Sequence, residues 1–264
     1  KGIASALLSA LIEKFNSEGG VALMLCTGNP IAGKLYENHG FWYSVGDGLR
    51  YLSPGAEKFE DTFFAYSGDV NMREATWADL PGVSVLYNHR KPNWLIKDYL
   101  TDSFRDMRYE YHFIKMMRRV EDYRGGYLVL ESPNKRIVGA AVFERIDTFH
   151  EQHVAVLGFR IVPEYFGQAQ VLLSAVIEKA LRLSIKVLQI HIGERDYDQI
   201  ELVRSAGFVE EARLSGRLRD GEDIVDMLVY THRLPGDPES VRGVDDYYGG
   251  RKSWMLQRIV EGPR

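Results

Sequence analysis

Apolar residues recur three and four positions apart through Ala6, Leu7, Ala10, Leu11 and Phe15, which predicts a helix with one buried stripe over residues 4–15. The polar, glycine-containing stretch Asn16 to Gly20 ends it. Val21 to Thr27 is a continuous apolar run and predicts a buried strand. Gly28-Asn29-Pro30 predicts a turn, with Pro30 opening a helix from Ile31 to Asn38 and Gly40 capping its end. Residues 41–52 alternate as a hairpin around Gly46-Asp47-Gly48. From Pro92 to Tyr123, Leu95, Tyr99, Leu100, Phe104, Met107, Tyr111, Ile114, Met117 and Val120 keep helical spacing, as one long helix or two shorter ones. Residues 126–131 and 136–145 read as strands joined by Ser132-Pro133-Asn134-Lys135, and Val154 to Val162 as a third strand ending at Pro163. Residues 209–219 and 224–233 read as a hairpin about Asp220-Gly221-Glu222.

One part of this pattern occurs twice. Leu7-Leu8-Ser9-Ala10-Leu11-Ile12-Glu13-Lys14 returns as Leu172-Leu173-Ser174-Ala175-Val176-Ile177-Glu178-Lys179, with seven of eight residues identical and an offset of 165 from residue 7 to residue 172. Each copy opens on a small-residue turn, Gly2-Ile3-Ala4 or Gly167-Gln168-Ala169. Each continues into an apolar run, Val21 to Cys26 or Val187 to Ile192. Each closes on Gly-Phe, at residues 40–41 or 207–208, an offset of 167. A period this long predicts two copies of one domain rather than a solenoid of short repeats.

The chemistry of the repeated turn follows from helix geometry. The first turn of a helix leaves backbone N–H groups unpaired at the positive end of its dipole. Small residues let a phosphate approach those groups.

Turn, helix, strand and closing Gly-Phe together resemble the GNAT superfamily of acyl-CoA-dependent N-acyltransferases, over roughly residues 1–52 and 70–234. That family's central motif is Gln or Arg, two residues, Gly, one residue, then Gly or Ala, and it holds the CoA pyrophosphate. The resemblance implies cofactor contacts at Gly2, Ile3 and Ala4 in the first copy and at Gly167, Gln168 and Ala169 in the second. Ile161 and Val162, at the end of a strand that splays from its neighbour, are implied contacts of the pantetheine arm, and Asn29 a further CoA contact. Tyr36, shortly before the closing Gly-Phe, is the implied catalytic proton donor to the departing thiolate; a phenol with a reference pKa of about 10 suits that role. The second copy departs from the pattern. Glu164 stands at the Gln/Arg position, where a carboxylate repels a pyrophosphate; Phe166 lies beside the turn; and Val203 replaces the tyrosine. Tyr197, His191 and Glu194 are its nearest alternative proton-handling groups.

The expected fold class is therefore α/β (α+β), a tandem GNAT-like acyl-CoA N-acyltransferase fold with a mixed central sheet flanked by helices. Residues 1–52 form the C-terminal half of a first domain, 53–69 a connection partly docked through Phe63-Phe64, 70–234 a complete second domain and 235–264 a tail with a short helix at 251–260. Met72 lies about 95 residues ahead of the second turn, whereas the first copy has almost nothing ahead of its own, so a longer native chain is expected. Thr76 reads as a helix N-cap. Arg105, Arg108, Lys115, Arg118 and Arg119 read as a solvated helix face or as groups that attract an anionic substrate.

The net charge of −4 argues against a nucleic-acid partner. Cys26 is the sole cysteine, which excludes an internal disulfide, and its place in an apolar run predicts a buried structural thiol. His39 reads as a helix C-terminal residue balancing the dipole. No apolar run approaches the ~20 residues of a membrane helix. The expected function is transfer of an acetyl group from acetyl-CoA to a primary amine of a small molecule or peptide, without a metal, in the cytoplasm, by a chain that is monomeric or a homo-oligomer. The alternative is a non-catalytic acyl-CoA-binding or scaffold protein with a degenerate second domain.

Overall fold

The computed structural model describes residues 2–45, 48–96 and 109–235. The expected hairpin turn at Gly46-Asp47, the middle of the expected helical region with Tyr99, Phe104, Arg105 and Arg108, and the tail helix at 251–260 lie outside the described residues.

The first unit runs α1 (Ile3–Ser17), β1 (Ala22–Cys26), α2 (Pro30–Glu37), β2 (Trp42–Val45) and β3 (Gly48–Leu52). Its three antiparallel strands lie in the order β1-β3-β2. Leu8, Phe41 and Leu49 form its small core. β1 is half-buried throughout, not a buried strand as its apolar run suggests, and Cys26 is half-buried with it. The reason is its position: among the described residues β1 pairs only with β3, and its other edge borders a cavity of about 1040 Å³ that reaches Phe59, Phe63 and Val85.

The second unit holds α3 (Phe59–Phe63) in the connection, then β4 (Asn71–Glu74), α4 (Leu80–Asn88), α5 (Tyr109–Glu121), β5 (Gly125–Glu131), β6 (Ile137–Arg145) and β7 (Val154–Ile161). It continues through α6 (Ala169–Arg182), β8 (Val187–Gly193), α7 (Tyr197–Ser205), β9 (Val209–Asp220) and β10 (Asp223–Arg233). The strand order is β4-β5-β6-β7-β8-β10-β9. All pairs are antiparallel except β7 with β8, so the sheet is mixed. Thr76 starts the turn before α4 through a reciprocal box with Asp79, and Arg73 clamps Asp79 at 2.7 and 2.8 Å.

The last five elements of the second unit repeat the first unit element for element, and β8-β10-β9 reproduces the order β1-β3-β2. Backbone detail repeats as well. Phe41 N–H bonds Tyr36 O and Phe208 N–H bonds Val203 O, both at 3.1 Å. Gly40 and Gly207 both take φ of +85°, a left-handed helix ending that a side chain would strain. Burial separates the two units. Leu7 and Leu11 are 67% and 54% exposed, whereas Leu172 and Val176 are fully buried. α6 packs its stripe on β4, β5 and β6, strands that have no counterpart beside α1 among the described residues.

The connection belongs to the second core. Phe64 is 1% exposed and packs at 4.6 Å from the His89 ring. Arg136 holds the carbonyls of Thr62 and Phe63. Glu60 links the units: it pairs with Arg50 of β3 and its Oε2 lies 3.0 Å from His89 Nδ1, while Arg50 donates to the Asn88 carbonyl. Arg119 is paired at 2.9 Å with Glu144 and at 2.8 Å with Asp147, and Lys115 lies 3.8 Å from Glu144. Their charge serves ion pairs on the sheet rather than an open anion site. Among the described residues no helix is long and apolar enough to cross a membrane.

Candidate functional site

β7 and β8 pair only from Val154–Leu157 against Val187–Ile190. Past that point each follows its other neighbour: Gly158 to Ile161 stay on β6, and His191 to Gly193 stay on β10. The two strands form a V whose inner edges carry backbone groups that no strand pairs among the described residues. The open end of the V leads into the short 3-10 segment Pro163–Gln168 and then α6. Tyr165 anchors this turn, its hydroxyl accepting the Ser67 N–H at 2.9 Å. A Cβ built on Gly167 meets nothing within 4 Å, so the turn is open to solvent at that residue. An open turn before a helix N-terminus suits a pyrophosphate, and the V suits an amide-bearing arm.

The other second-unit residues predicted from the sequence surround this point. Ile161 pairs with Gly139 and is fully buried; Val162 is also buried and gives its N–H to the Val138 carbonyl. Gln168 precedes α6 and Ala169 opens it, buried. Glu164 is exposed. Val203 lies wholly in the core. Tyr197 is exposed on α7, whereas burial pushes His191 down to about 4. Glu194 is committed, accepting the Asp226 N–H at 3.0 Å and pairing with Arg213 at 3.1 Å.

The first-unit candidates belong to a separate sheet. Gly2 precedes α1, and Ile3 and Ala4 lie exposed in its first turn. Asn29 caps α2, its Oδ1 accepting the N–H groups of Ile31 and Ala32 at 3.0 and 3.4 Å. Tyr36 is half-buried, its ring 5.4 Å from that of Phe41. His39 ties α2 to α1, with Nε2 2.9 Å from Ser5 Oγ and Nδ1 2.8 Å from the Leu35 carbonyl.

The helical spacing expected from Pro92 does not hold at Leu95: residues 92–96 are not helical, and sequence reasoning missed the role of Trp94-Leu95-Ile96 and its partner Asp196. Gly126, Phe143 and Leu157 share one register line, and Lys179 of α6 lies 3.2 Å from a Cβ built on Gly126. That line therefore faces α6, and Phe159 shares its face. Arg160 points to the opposite face. Its guanidinium is fully buried and donates to the carbonyls of Leu86, His89 and Pro92 at 3.1, 2.6 and 3.1 Å. The chain thus passes from Pro92 on one face to Trp94 on the other. The Trp94 ring lies 5.2 Å from Phe159 and stacks at 6.0 Å on Phe166 of the turn. Leu95 N–H donates to both oxygens of Asp196, at 3.1 and 2.9 Å. Burial pushes Asp196 up to about 6, against the N–H groups of Leu95 and Ile96, which favour its charged form. The available signal was an apolar triplet after a proline and an aspartate one residue before a helix.

Residues 86–208 match the model of the Acetyltransferase (GNAT) family. This span is a GNAT acetyltransferase domain. The chain is similar to a ribosomal-protein-alanine N-acetyltransferase from Brucella melitensis, with 24% identity and a TM-score of 0.53 over 62% of this chain and 99% of that one. It is similar to a GNAT superfamily phosphinothricin acetyltransferase from Sinorhizobium meliloti in complex with AcCoA, with 16% identity and a TM-score of 0.55 over 63% of this chain and 89% of that one. A spermidine N-acetyltransferase from Vibrio cholerae in complex with CoA and spermine has 18% identity and a TM-score of 0.50, over 64% of this chain and 97% of that one. At these identities the likeness establishes the fold. No curated protein matches the chain.

Proposed function

We propose that this acetyltransferase moves an acetyl group from acetyl-CoA to a primary amine of a small molecule or peptide, and that it is a tandem of two GNAT-type units acting in the cytoplasm. The observation that carries the reading is the V between β7 and β8 opening onto the solvent-facing turn at Gly167, inside the span that matches the family. The repeated element order and the repeated hydrogen bonds at the Gly-Phe closure support extending it to the first unit.

Acetyl-CoA supplies the acetyl group as an activated thioester. The chain's contribution is to hold and orient. In the second unit Gly167, Gln168 and Ala169 offer the helix N-terminus to the pyrophosphate, and the strand end at Ile161 and Val162 borders the pantetheine arm. In the first unit Gly2, Ile3 and Ala4 stand at the corresponding turn, and Asn29, ahead of α2, is a further CoA contact. Tyr36 is the proton donor to the departing sulfur, because a phenol holds its proton at neutral pH and shares it with the sulfur as negative charge develops there, recovering a proton from the amine that the acetyl group leaves cationic. Val203 sits at the same backbone position in the second unit and has no proton to give. The first unit is therefore the catalytic one, and the second supports it and shapes the acceptor side. The similar structures include a spermidine N-acetyltransferase and a ribosomal-protein-alanine N-acetyltransferase, which agree with an amine acceptor.

The test is release of free CoA thiol from acetyl-CoA in the presence of a panel of polyamines, amino acids and N-terminal peptides. Tyr36→Phe lowers kcat on the best acceptor by roughly 10²-fold or more while leaving acetyl-CoA affinity near the parent value. Unchanged turnover removes Tyr36 from the mechanism. A parent chain that binds acetyl-CoA but acetylates no amine favours the non-catalytic binding reading, for which Val203 and Glu164 already speak.

A further inference from the structure

The V between β7 and β8 does not stand empty of protein. Trp94 is 4% exposed and touches one arm through Phe159 and the turn through Phe166. Leu95 meets the other arm: its Cβ lies 3.1 Å from a Cβ built on Gly193, the last residue of β8. Its N–H is held by Asp196, one residue ahead of α7. Three residues therefore reach from β7 to β8 across the opening and cover the inner side of the turn. The Trp94 indole stands against both Phe159 and Phe166, so a pantetheine arm that runs from the turn into the splayed strands meets it, and close-packed atoms cannot share one volume.

We propose that Trp94–Ile96 is a strap that closes the acyl-donor cleft of the second unit, latched on Asp196, and that acetyl-CoA enters this cleft only when the strap lifts. The latch is local and separable. It consists of backbone N–H groups on one carboxylate and an indole between two phenyl rings, whereas Arg160 holds the preceding turn in place through Leu86, His89 and Pro92. Pro92 thus serves as the fixed end and Trp94–Ile96 as the moving one. A closed strap lowers apparent affinity by the fraction of molecules that are open. The inference rests on the acetyl-CoA reading above and adds a gate to it.

The experiment compares the parent chain with Asp196→Ala and Trp94→Ala, after circular dichroism and thermal unfolding show that each variant is folded. Hydrogen exchange at the Leu95 and Ile96 amides reports the strap, and the difference in acetyl-CoA titration between parent and variants reports the cleft, the first unit being the same in all three. The expected result is faster exchange at both amides in Asp196→Ala, with Gly193, whose N–H the same carboxylate accepts, the one amide of β7 or β8 that changes with them, and acetyl-CoA binding at least about tenfold tighter in both variants. Exchange that does not respond to Asp196→Ala overturns the latch. A parent chain that binds acetyl-CoA as tightly as the variants overturns the gate and leaves the acetyltransferase reading standing. A strap that opens by exchange while no chain binds acetyl-CoA overturns the donor site itself, and the gate with it.

Discussion

Glu60 joins the two units, and its removal has a calculable effect. It pairs with Arg50 of β3, and with His89 beyond α4. Burial raises its proton affinity, but the hydrogen bonds and charges of His89 and Arg50 outweigh that and bring its pKa from 4.5 down to about 2. At roughly 1.4 kcal/mol per tenfold change in proton affinity, this difference corresponds to about 3 kcal/mol at neutral pH. The side chain keeps 21% of its exposure, so solvent screening reduces the expectation to about 2 kcal/mol. The sign follows from the direction of the shift. The folded pKa lies below the unfolded one, so the stabilisation is complete above about 4.5 and disappears as pH falls toward about 2. Glu60→Gln removes the charge and leaves Arg50, which is buried, with the Asn88 carbonyl as its remaining partner. An uncompensated buried charge adds to the loss, so the variant is about 2–4 kcal/mol less stable at pH 7. The assay is urea unfolding of parent and variant from pH 7 to pH 2. The gap narrows below about pH 4.5 and closes as pH approaches about 2, because the parent loses what the variant never had. A variant within about 0.5 kcal/mol of the parent at pH 7, or a gap undiminished at about pH 2, refutes the buried ionic link.

Two further predictions test the parts around it. Phe64→Ala empties a fully buried site in the second core and lowers stability by about 3–5 kcal/mol in denaturant unfolding; a loss under about 1 kcal/mol would mean that the connection is not part of that core. Asn29→Ala removes the cap of α2 and costs about 1 kcal/mol, while Asn29→Ser restores it. If acetyl-CoA affinity falls in Asn29→Ala and is not rescued by the serine that rescues stability, Asn29 contacts the cofactor as well as capping the helix.

The elements were legible because their signals are local. The Leu-Leu-Ser-Ala helices, the apolar runs after them and the Gly-Phe endings follow from side-chain periodicity and from the left-handed conformation that Gly40 and Gly207 adopt. The duplicated pattern pointed to the α/β class and to the turn at Gly167, which the structure sets at the mouth of the splayed strands. Burial was not legible in the same way. Leu7 and Leu172 are the same residue in the same octapeptide, yet one is exposed and the other buried. The difference lies in β4, β5 and β6, which pack on α6 and have no counterpart beside α1 among the described residues, and no local pattern encodes that. The closure of the V was hidden for a related reason. Trp94 and Phe166, like Leu95 and Asp196, are far apart in sequence and meet only because Arg160 draws the end of α4 to the tip of β7. Local periodicity determined what the elements are; the path between them, and with it whether the cleft is open, was decided by tertiary contacts.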